Sequence, residues 1–316
     1  MRKIMKLGKA PRIAYGEELL ELAKKNQDIV ALDADLSKST MTCLIEEHFP
    51  ERFFEMSIAE QNMVATAAGM ALKGKIPFVN SFAVFLTGRA FDQIRQSVAY
   101  PVTNVKLCGS SSGFSDFGDG ATHQSIEDLA LMRALPNMIV LSPVDEIETR
   151  EMVKFMVAHK GPVYIRLDRN ETPIILDQDY RFVLGEPTLI KPGTDVTIFG
   201  TGQMVSLSLN VRERLEKEGV SCEIVNIGTI KPMKRDAIIA LAEKTGAVVT
   251  VEEHNVYGGL GSAIAETLMK TKVPIVPIGV KDRFGQSAKT YPELLVEYGL
   301  TEDAVCEAVK EVLAVK

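Results

Sequence analysis

Cysteine is scarce in this chain. The 316 residues hold four, Cys43, Cys108, Cys222 and Cys306, far apart and with no Cys-x-x-Cys pair. Neither a zinc site nor a disulfide framework is indicated, and reduced thiols in a cytoplasmic setting fit best. Long apolar runs are also missing: no stretch approaches the ~18 uninterrupted apolar residues of a membrane-spanning helix. The start, Met1-Arg2-Lys3-Ile4-Met5-Lys6-Leu7, is basic and lacks the apolar run of a signal peptide. Positive charge is not in excess either. A net charge of −6 argues against a nucleic-acid binder that relies on broad positive charge, although a local anion pocket stays open. The chain shows no short-period repeat, no low-complexity tract, no Ser-His-Asp order and no cluster of metal ligands.

What is present is an ordinary globular composition, long enough for two domains, since single cores seldom grow beyond about 250–300 residues. Short β-branched runs alternate with helical periodicity almost throughout, the pattern of parallel α/β sheets. The spacing predicts a helix over 17–25, a strand over 28–32, a small-residue helix over 63–72, and strands over 76–80, 104–108, 138–141 and 163–167. Helices are expected over 126–135 and 145–159. Residues 181–192 read as a linker, with Pro187, Pro192 and Gly185 in or beside them. A second α/β unit follows from 193, with strands over 196–199, 222–227, 248–252 and 275–278 and a closing helix over 303–313. The small-residue helix is expected to be buried, at an interface. The glycine- and serine-rich loop from Gly109 to Thr122 is long for a structureless connection, so its order must depend on something it binds or packs against.

Chemistry concentrates in a few places. Glu60 ends Ser57-Ile58-Ala59-Glu60, where a strand-like run meets the small-residue helix. It is either exposed at the first helical turn, where the dipole favours an acidic residue, or buried and held near neutrality by desolvation. Asp33-Ala34-Asp35-Leu36-Ser37-Lys38-Ser39 forms a polar turn at a strand's carboxyl end, where open α/β sheets place ligands. His123 stands where the long loop meets a helix. Arg166 and Arg169, at another strand's end, suit bidentate binding of phosphate or carboxylate, with pairing to Asp168 or Glu171 as the structural alternative. Gly118-Asp119-Gly120 lacks the downstream asparagine of a metal-diphosphate motif and reads as a turn. Gly258-Gly259-Leu260-Gly261-Ser262 lacks the third glycine of a dinucleotide fingerprint, because Ile264 takes its place, and reads as a tight strand-to-helix entry.

Taken in order, Asp33-Ala34-Asp35-Leu36, Ser57-Ile58-Ala59-Glu60-Gln61-Asn62-Met63, Gly120-Ala121-Thr122-His123-Gln124, Arg169 with Pro173, and Gly279-Val280-Lys281-Asp282-Arg283-Phe284-Gly285 resemble the carboxyl-terminal half of transketolase, encoded as a separate subunit. The resemblance runs over nearly the whole chain. It implies a pyrimidine-binding domain over residues 1–180 and a transketolase carboxyl-terminal domain over 193–316, both α/β with open parallel or mixed sheets. It also implies thiamine diphosphate as cofactor. Glu60 is then the carboxylate at N1′ of the aminopyrimidine, Phe82 and Phe85 its aromatic wall, and Asp35 and Leu36 further cofactor neighbours. Arg12, Ser39 and Arg169 hold the substrate phosphate and His123 meets the sugar hydroxyls.

The reaction implied is transfer of a two-carbon ketol unit from a ketose phosphate to an aldose phosphate. The diphosphate and its Mg2+ or other divalent metal belong, in this family, to an amino-terminal domain. The resemblance therefore implies a partner subunit, an α2β2 assembly and a single chain that is inactive alone. Two departures bear on the substrate. Many transketolases carry a histidine where this chain has Ser111 or a neighbouring serine, and an acidic residue where it has Gly118. A two-subunit enzyme acting on a modified sugar phosphate fits equally well. The β subunit of a 2-oxoacid dehydrogenase and a non-catalytic scaffold subunit are the other readings. Thr122-His123-Gln124 and Arg169 favour the transketolase side, and retention of Glu60, Phe82 and Phe85 speaks against a scaffold.

Overall fold

The computed structural model describes residues 5–316, so the amino-terminal reading of Met1 to Ile4 lies outside it. The strands, in chain order, are β1 (Ile29–Asp33), β2 (Phe53–Glu55), β3 (Ile76–Phe82), β4 (Lys106–Ser110), β5 (Ile139–Leu141), β6 (Val163–Arg166), β7 (Thr188–Lys191), β8 (Val196–Gly200), β9 (Cys222–Asn226), β10 (Thr229–Lys231), β11 (Val248–Asn255) and β12 (Ile275–Val280). The helices are α1 (Pro11–Ala23), α2 (Ser37–Thr40), α3 (Cys43–His48), α4 (Glu60–Leu72), α5 (Phe91–Gln93), α6 (Asp128–Ala134), α7 (Glu146–Ala158), α8 (Met204–Leu215), α9 (Arg235–Thr245), α10 (Leu260–Leu268), α11 (Tyr291–Glu297) and α12 (Glu302–Ala314).

Two mixed sheets result, ordered β10-β5-β6-β4-β3-β1-β2 and β12-β11-β8-β9-β7. Within each, all pairings are parallel except those of the edge strands β10 and β7. The central strands β1, β4, β8 and β9 are buried at every position, and Ile29–Leu32 of β1 is accordingly an apolar run rather than an alternating one, whereas β4 and β9 also bury polar residues such as Lys106 and Glu223.

The segment read as a linker is more ordered than its composition suggests. Thr188-Leu189-Ile190-Lys191 alternates half-buried and exposed residues and pairs antiparallel with β9, as an edge strand does. The two sheets also share material: β10, from the second half of the chain, closes the first sheet against β5. A continuous apolar cluster joins Val30, Val64 and Leu107 of the first half to Val225, Ile227 and Leu260 of the second.

Buried polar groups lock the same junction. Asp145 caps α7 by accepting from the backbone N–H groups of Ile147 and Glu148, both at 3.0 Å, and its other oxygen accepts from Ile175 and Leu176 at 2.9 Å. Three residues on, Glu148 accepts from the Val144 N–H at 2.8 Å, from Asn226 Nδ2 at 3.0 Å and from the Tyr180 hydroxyl at 3.1 Å. His254 donates from Nδ1 to the Asn255 carbonyl at 2.7 Å and accepts at Nε2 from the Ala130 N–H at 3.3 Å, which assigns its neutral tautomer.

Register places the site. Asp33 pairs with Asn80, Asn80 with Cys108, and Gly109 with Arg166, so the carboxyl ends of β1, β3, β4 and β6 lie side by side. Just past β1, β2 and β4 the chain turns sharply, with Asp35 at φ 61°, Ser57 at φ 53° and Ser111 at φ 53°. Left-handed backbone at non-glycine residues costs energy and gathers where function needs it.

Candidate active site

Glu60 is the first residue of α4, as the sequence suggested, but it is not the exposed helix-start residue of the simpler reading. Its side chain is 1% exposed. A carboxylate removed from water needs partners, and it has two. Oε1 accepts from the Ser81 hydroxyl at 3.1 Å, and Oε2 accepts from Arg89 Nη1 at 2.5 Å. Ser81 is available because β3 runs on to Phe82, two residues beyond the predicted strand end. Arg89 arrives from a π-helical turn, Phe85–Arg89, shortly after the strand. Such widened turns are frequent at functional sites.

The aromatic wall stands beside this carboxylate. Phe82 and Phe85 lie nearly parallel with centroids 6.0 Å apart. His123 presents its ring edge-on to both, at 6.2 Å and 5.1 Å. The Arg89 guanidinium lies 4.9 Å from the Phe85 centroid. Glu60, Phe82, Phe85 and His123 are therefore brought together from a helix start, the end of β3 with the turn after it, and a distant loop.

The arginines form the other end. Arg12, near the start of α1, donates from Nη1 to the Ser39 carbonyl at 2.8 Å, so Ser39 contributes its backbone oxygen. Arg169 donates from Nη1 to Asp116 at 2.9 Å. Burial, together with the neighbouring Arg169 charge, holds Arg12 below its usual value. Burial pushes the Asp116 carboxyl up, against the pull of Arg169 and His123. His123, against the phenylalanines, and Asp116, on Arg169, belong to the same loop, which joins the two ends.

Asp35 and Leu36 follow β1, one strand over from β3. Asp33 anchors their turn: it accepts from the Leu36 N–H at 2.6 Å and from the hydroxyls of Thr40 and Thr42 at 2.6 and 2.8 Å. Burial raises the Asp33 carboxyl to about 6. Glu55 ties this turn to the one before α4, accepting from the N–H groups of Asp35 and Ser57 at 2.9 and 2.7 Å.

Arg166 takes the structural role. It is buried against Asp128 at 3.1 Å, the partner being neither Asp168 nor Glu171, and it also donates to the carbonyls of Glu253 and Ser125. Asp128 holds the Tyr164 hydroxyl as well, at 2.7 Å. The glycine pair at 258–259 forms the strand-to-helix entry expected of it. Glu252 accepts from the first N–H groups of α10, Leu260 at 2.6 Å and Gly261 at 2.7 Å.

The long loop after β4 finds its support in the second sheet's domain. Glu253 accepts from the Phe114 N–H and from the Tyr291 hydroxyl. Phe114 stacks on Tyr298 at 4.4 Å, and Gln124 donates to the Gln286 carbonyl at 2.9 Å. A side chain at Gly113, whose φ is +60°, would collide with Glu253, so only glycine permits this approach. Asp116 and His123 are positioned through this docking.

Sequence reasoning missed Ser81, Arg89, Asp116 and Glu253. Ser81 and Arg89 bracket Phe82 and Phe85, yet nothing in their spacing marks them as partners of a residue 21 and 29 positions away. Asp116 and Glu253 act over long stretches of chain, which periodicity does not report. Among the described residues no group of three or more His, Cys, Asp or Glu side chains is arranged to hold a metal ion, and no helix is long and apolar enough to cross a membrane.

The transketolase pyrimidine-binding domain profile matches residues 9–174, and the transketolase C-terminal domain profile matches residues 185–305. The chain is 43% identical over 302 residues to the 6-deoxy-6-sulfo-D-fructose transketolase subunit of Clostridium sp. (strain MSTE9), spanning 95% of this chain and 94% of that one. It is 36% identical over 303 residues to one subunit of the apulose-4-phosphate transketolase of Phocaeicola vulgatus, spanning 96% and 97%. A solved split-gene transketolase, described as an inactive β4 tetramer, superposes with a TM-score of 0.89 at 48% identity, covering 98% of this chain and 99% of that one. With both profiles matched in order and near-full-length relatives at these identities, the chain belongs to the transketolase family.

Proposed function

We propose that this chain is the carboxyl-terminal subunit of a two-chain, thiamine-diphosphate-dependent transketolase that moves a two-carbon ketol unit between sugar phosphates. The observation that carries this reading is Glu60, a fully buried carboxylate joined through Arg89 to the Phe82–Phe85 pair, among the same strand ends that carry the Arg12 and Arg169 contacts. These residues fit the aminopyrimidine half of the cofactor: a flat, weakly basic ring needs an apolar wall and one carboxylate. Glu60 would hold a proton at N1′, Phe82 and Phe85 would fix the ring plane, and Asp35 and Leu36 would close it from the β1 side. When bound, thiamine diphosphate supplies the electron sink for breaking and remaking a carbon–carbon bond.

The same chain binds and orients substrate. Arg12 and Arg169, with Ser39 holding Arg12 in place, suit a terminal phosphate or sulfonate, and His123 suits sugar hydroxyls. The diphosphate and its divalent metal, Mg2+ or another, we assign to an amino-terminal partner subunit. The relatives' own names, which call each of them a subunit, support that division. An α2β2 assembly is supported by α4, whose Gln61, Asn62, Ala65, Gly69 and Leu72 are exposed on the face turned away from its own sheet. Modified sugars are the favoured substrate class, because those two relatives are named for a sulfo-sugar and a branched-sugar phosphate.

Ketol transfer should be measured with the purified chain alone and with a co-expressed thiamine-diphosphate-binding partner. Activity is expected only from the pair, and Glu60→Gln in the pair should lose most turnover with the fold intact. Full transfer by the single chain would sink the division of labour. Unchanged turnover in the Glu60→Gln pair would favour a scaffold subunit.

A further inference from the structure

Both oxygens of Glu60 are already engaged. Ser81 takes one, from within the sheet, at 3.1 Å. Arg89 takes the other, at 2.5 Å, from the open side: its side chain is 42% exposed while Glu60 is 1% exposed. The guanidinium reaches Oε2 while lying 4.9 Å from the centroid of Phe85. A planar, nitrogen-bearing group therefore spans the space between the aromatic wall and the carboxylate, donating an N–H to that carboxylate. Those are the contacts an aminopyrimidine edge would make there.

We propose that Arg89 is an internal placeholder for the cofactor's aminopyrimidine: it occupies Glu60 until the ring arrives, and it must leave for the ring to bind. This rests on the reading of Glu60 as the cofactor's carboxylate. The physical reason for such a device is the burial of Glu60. A lone carboxylate in that position would carry a desolvation penalty with only a serine hydroxyl to offset it. Arg89 supplies the missing partner, and its half-exposed side chain has solvent to retreat into. The widened turn Phe85–Arg89 carries part of the wall and the placeholder on one piece of backbone, so displacing the guanidinium need not disturb β3. Cofactor affinity is then lowered by the interaction the ring has to replace.

The test uses the complex of the full chain with its diphosphate-binding partner. Thiamine diphosphate affinity is measured by titration calorimetry, and its association rate by stopped-flow circular dichroism, for wild type, Arg89→Ala and Arg89→Lys. Arg89→Ala is expected to bind roughly tenfold tighter and faster, the scale of a hydrogen bond to a charged group, with Arg89→Lys closer to wild type. Unchanged or weaker binding in Arg89→Ala, with wild type binding normally, overturns the placeholder alone. Failure of the wild-type complex to bind the cofactor overturns the functional reading, and the placeholder with it. A second measurement needs no cofactor: a thermal-stability cycle on the full chain with Glu60→Gln, Arg89→Ala and both. Coupling between the two sites is expected, and strict additivity overturns the proposal.

Discussion

Asp116 sets a carboxylate 2.9 Å from Nη1 of Arg169, one of the two arginines that we assign to a substrate anion. One of the two arginine charges there is thus offset before any substrate arrives. Asp116→Asn should leave more positive potential on Arg12 and Arg169. Inorganic phosphate, tested as a competitive inhibitor of the assembled enzyme, should bind roughly two- to fivefold tighter, the range of a partly exposed ion pair. Weaker phosphate binding would mean that Asp116 matters mainly for aiming Arg169.

Phe85 meets Phe82, His123 and the Arg89 guanidinium at once, yet it is only half-buried. Phe85→Ala should therefore cost little thermal stability but remove half of the wall. Thiamine diphosphate affinity in the complex should fall roughly tenfold, in line with the size of aromatic contacts. A large drop in melting temperature with unchanged cofactor affinity would show the ring to be a packing residue.

The loop carrying Asp116 and His123 is held from the second domain by Glu253. Tyr291→Phe keeps the ring and removes the hydroxyl that lies 2.5 Å from Glu253 Oε2. Burial and the nearby Asp168 carboxyl already push Glu253 up, so the loss of a donor should loosen its grip on the Phe114 N–H. Hydrogen exchange should quicken over residues 113–117, and KM for the sugar phosphate should rise more than kcat falls. Exchange confined to α11 would show that the loop does not depend on this contact.

Stability should fall as pH rises through neutrality. Burial lifts the carboxyls of Glu148 and Glu252 from 4.5 to about 7. The folded chain therefore keeps protons that the unfolded chain releases above about pH 4.5, and the stabilisation present below that pH is lost on passing about 7. His254 acts at the other end. Burial lowers it from 6.5 to about 4, so its contribution is present above 6.5 and lost as pH falls through about 4. Glu148→Gln should lower the melting temperature, because Glu148 accepts four hydrogen bonds, and should also flatten its decline between about pH 5 and 8. A wild-type slope in that variant would remove Glu148 as a source of the pH dependence.

The sequence by itself determined the class of fold, because fully buried parallel strands such as Ile29–Asp33 and Val196–Gly200 must be apolar runs and the helices between them must be periodic. It also singled out Glu60, Arg169 and His123 through short stretches readable without their neighbours in space, whereas Phe82, Phe85 and Arg12 were marked only by the family resemblance. It did not show that Thr188–Lys191 is a strand, since an edge strand between prolines looks like a linker until its partner is known. Nor could it show whether Glu60 was exposed or buried, because a helix start explains a glutamate in either case. Tertiary structure decided that, along with what meets the carboxylate. Ser81 and Arg89 reach it, Asp116 reaches Arg169, and Glu253 reaches the loop, through contacts 21 to 139 residues apart in the chain. Local periodicity holds no record of such distances. Only the register of β1, β3, β4 and β6, and the docking of one sheet against the other, bring those groups within bonding range.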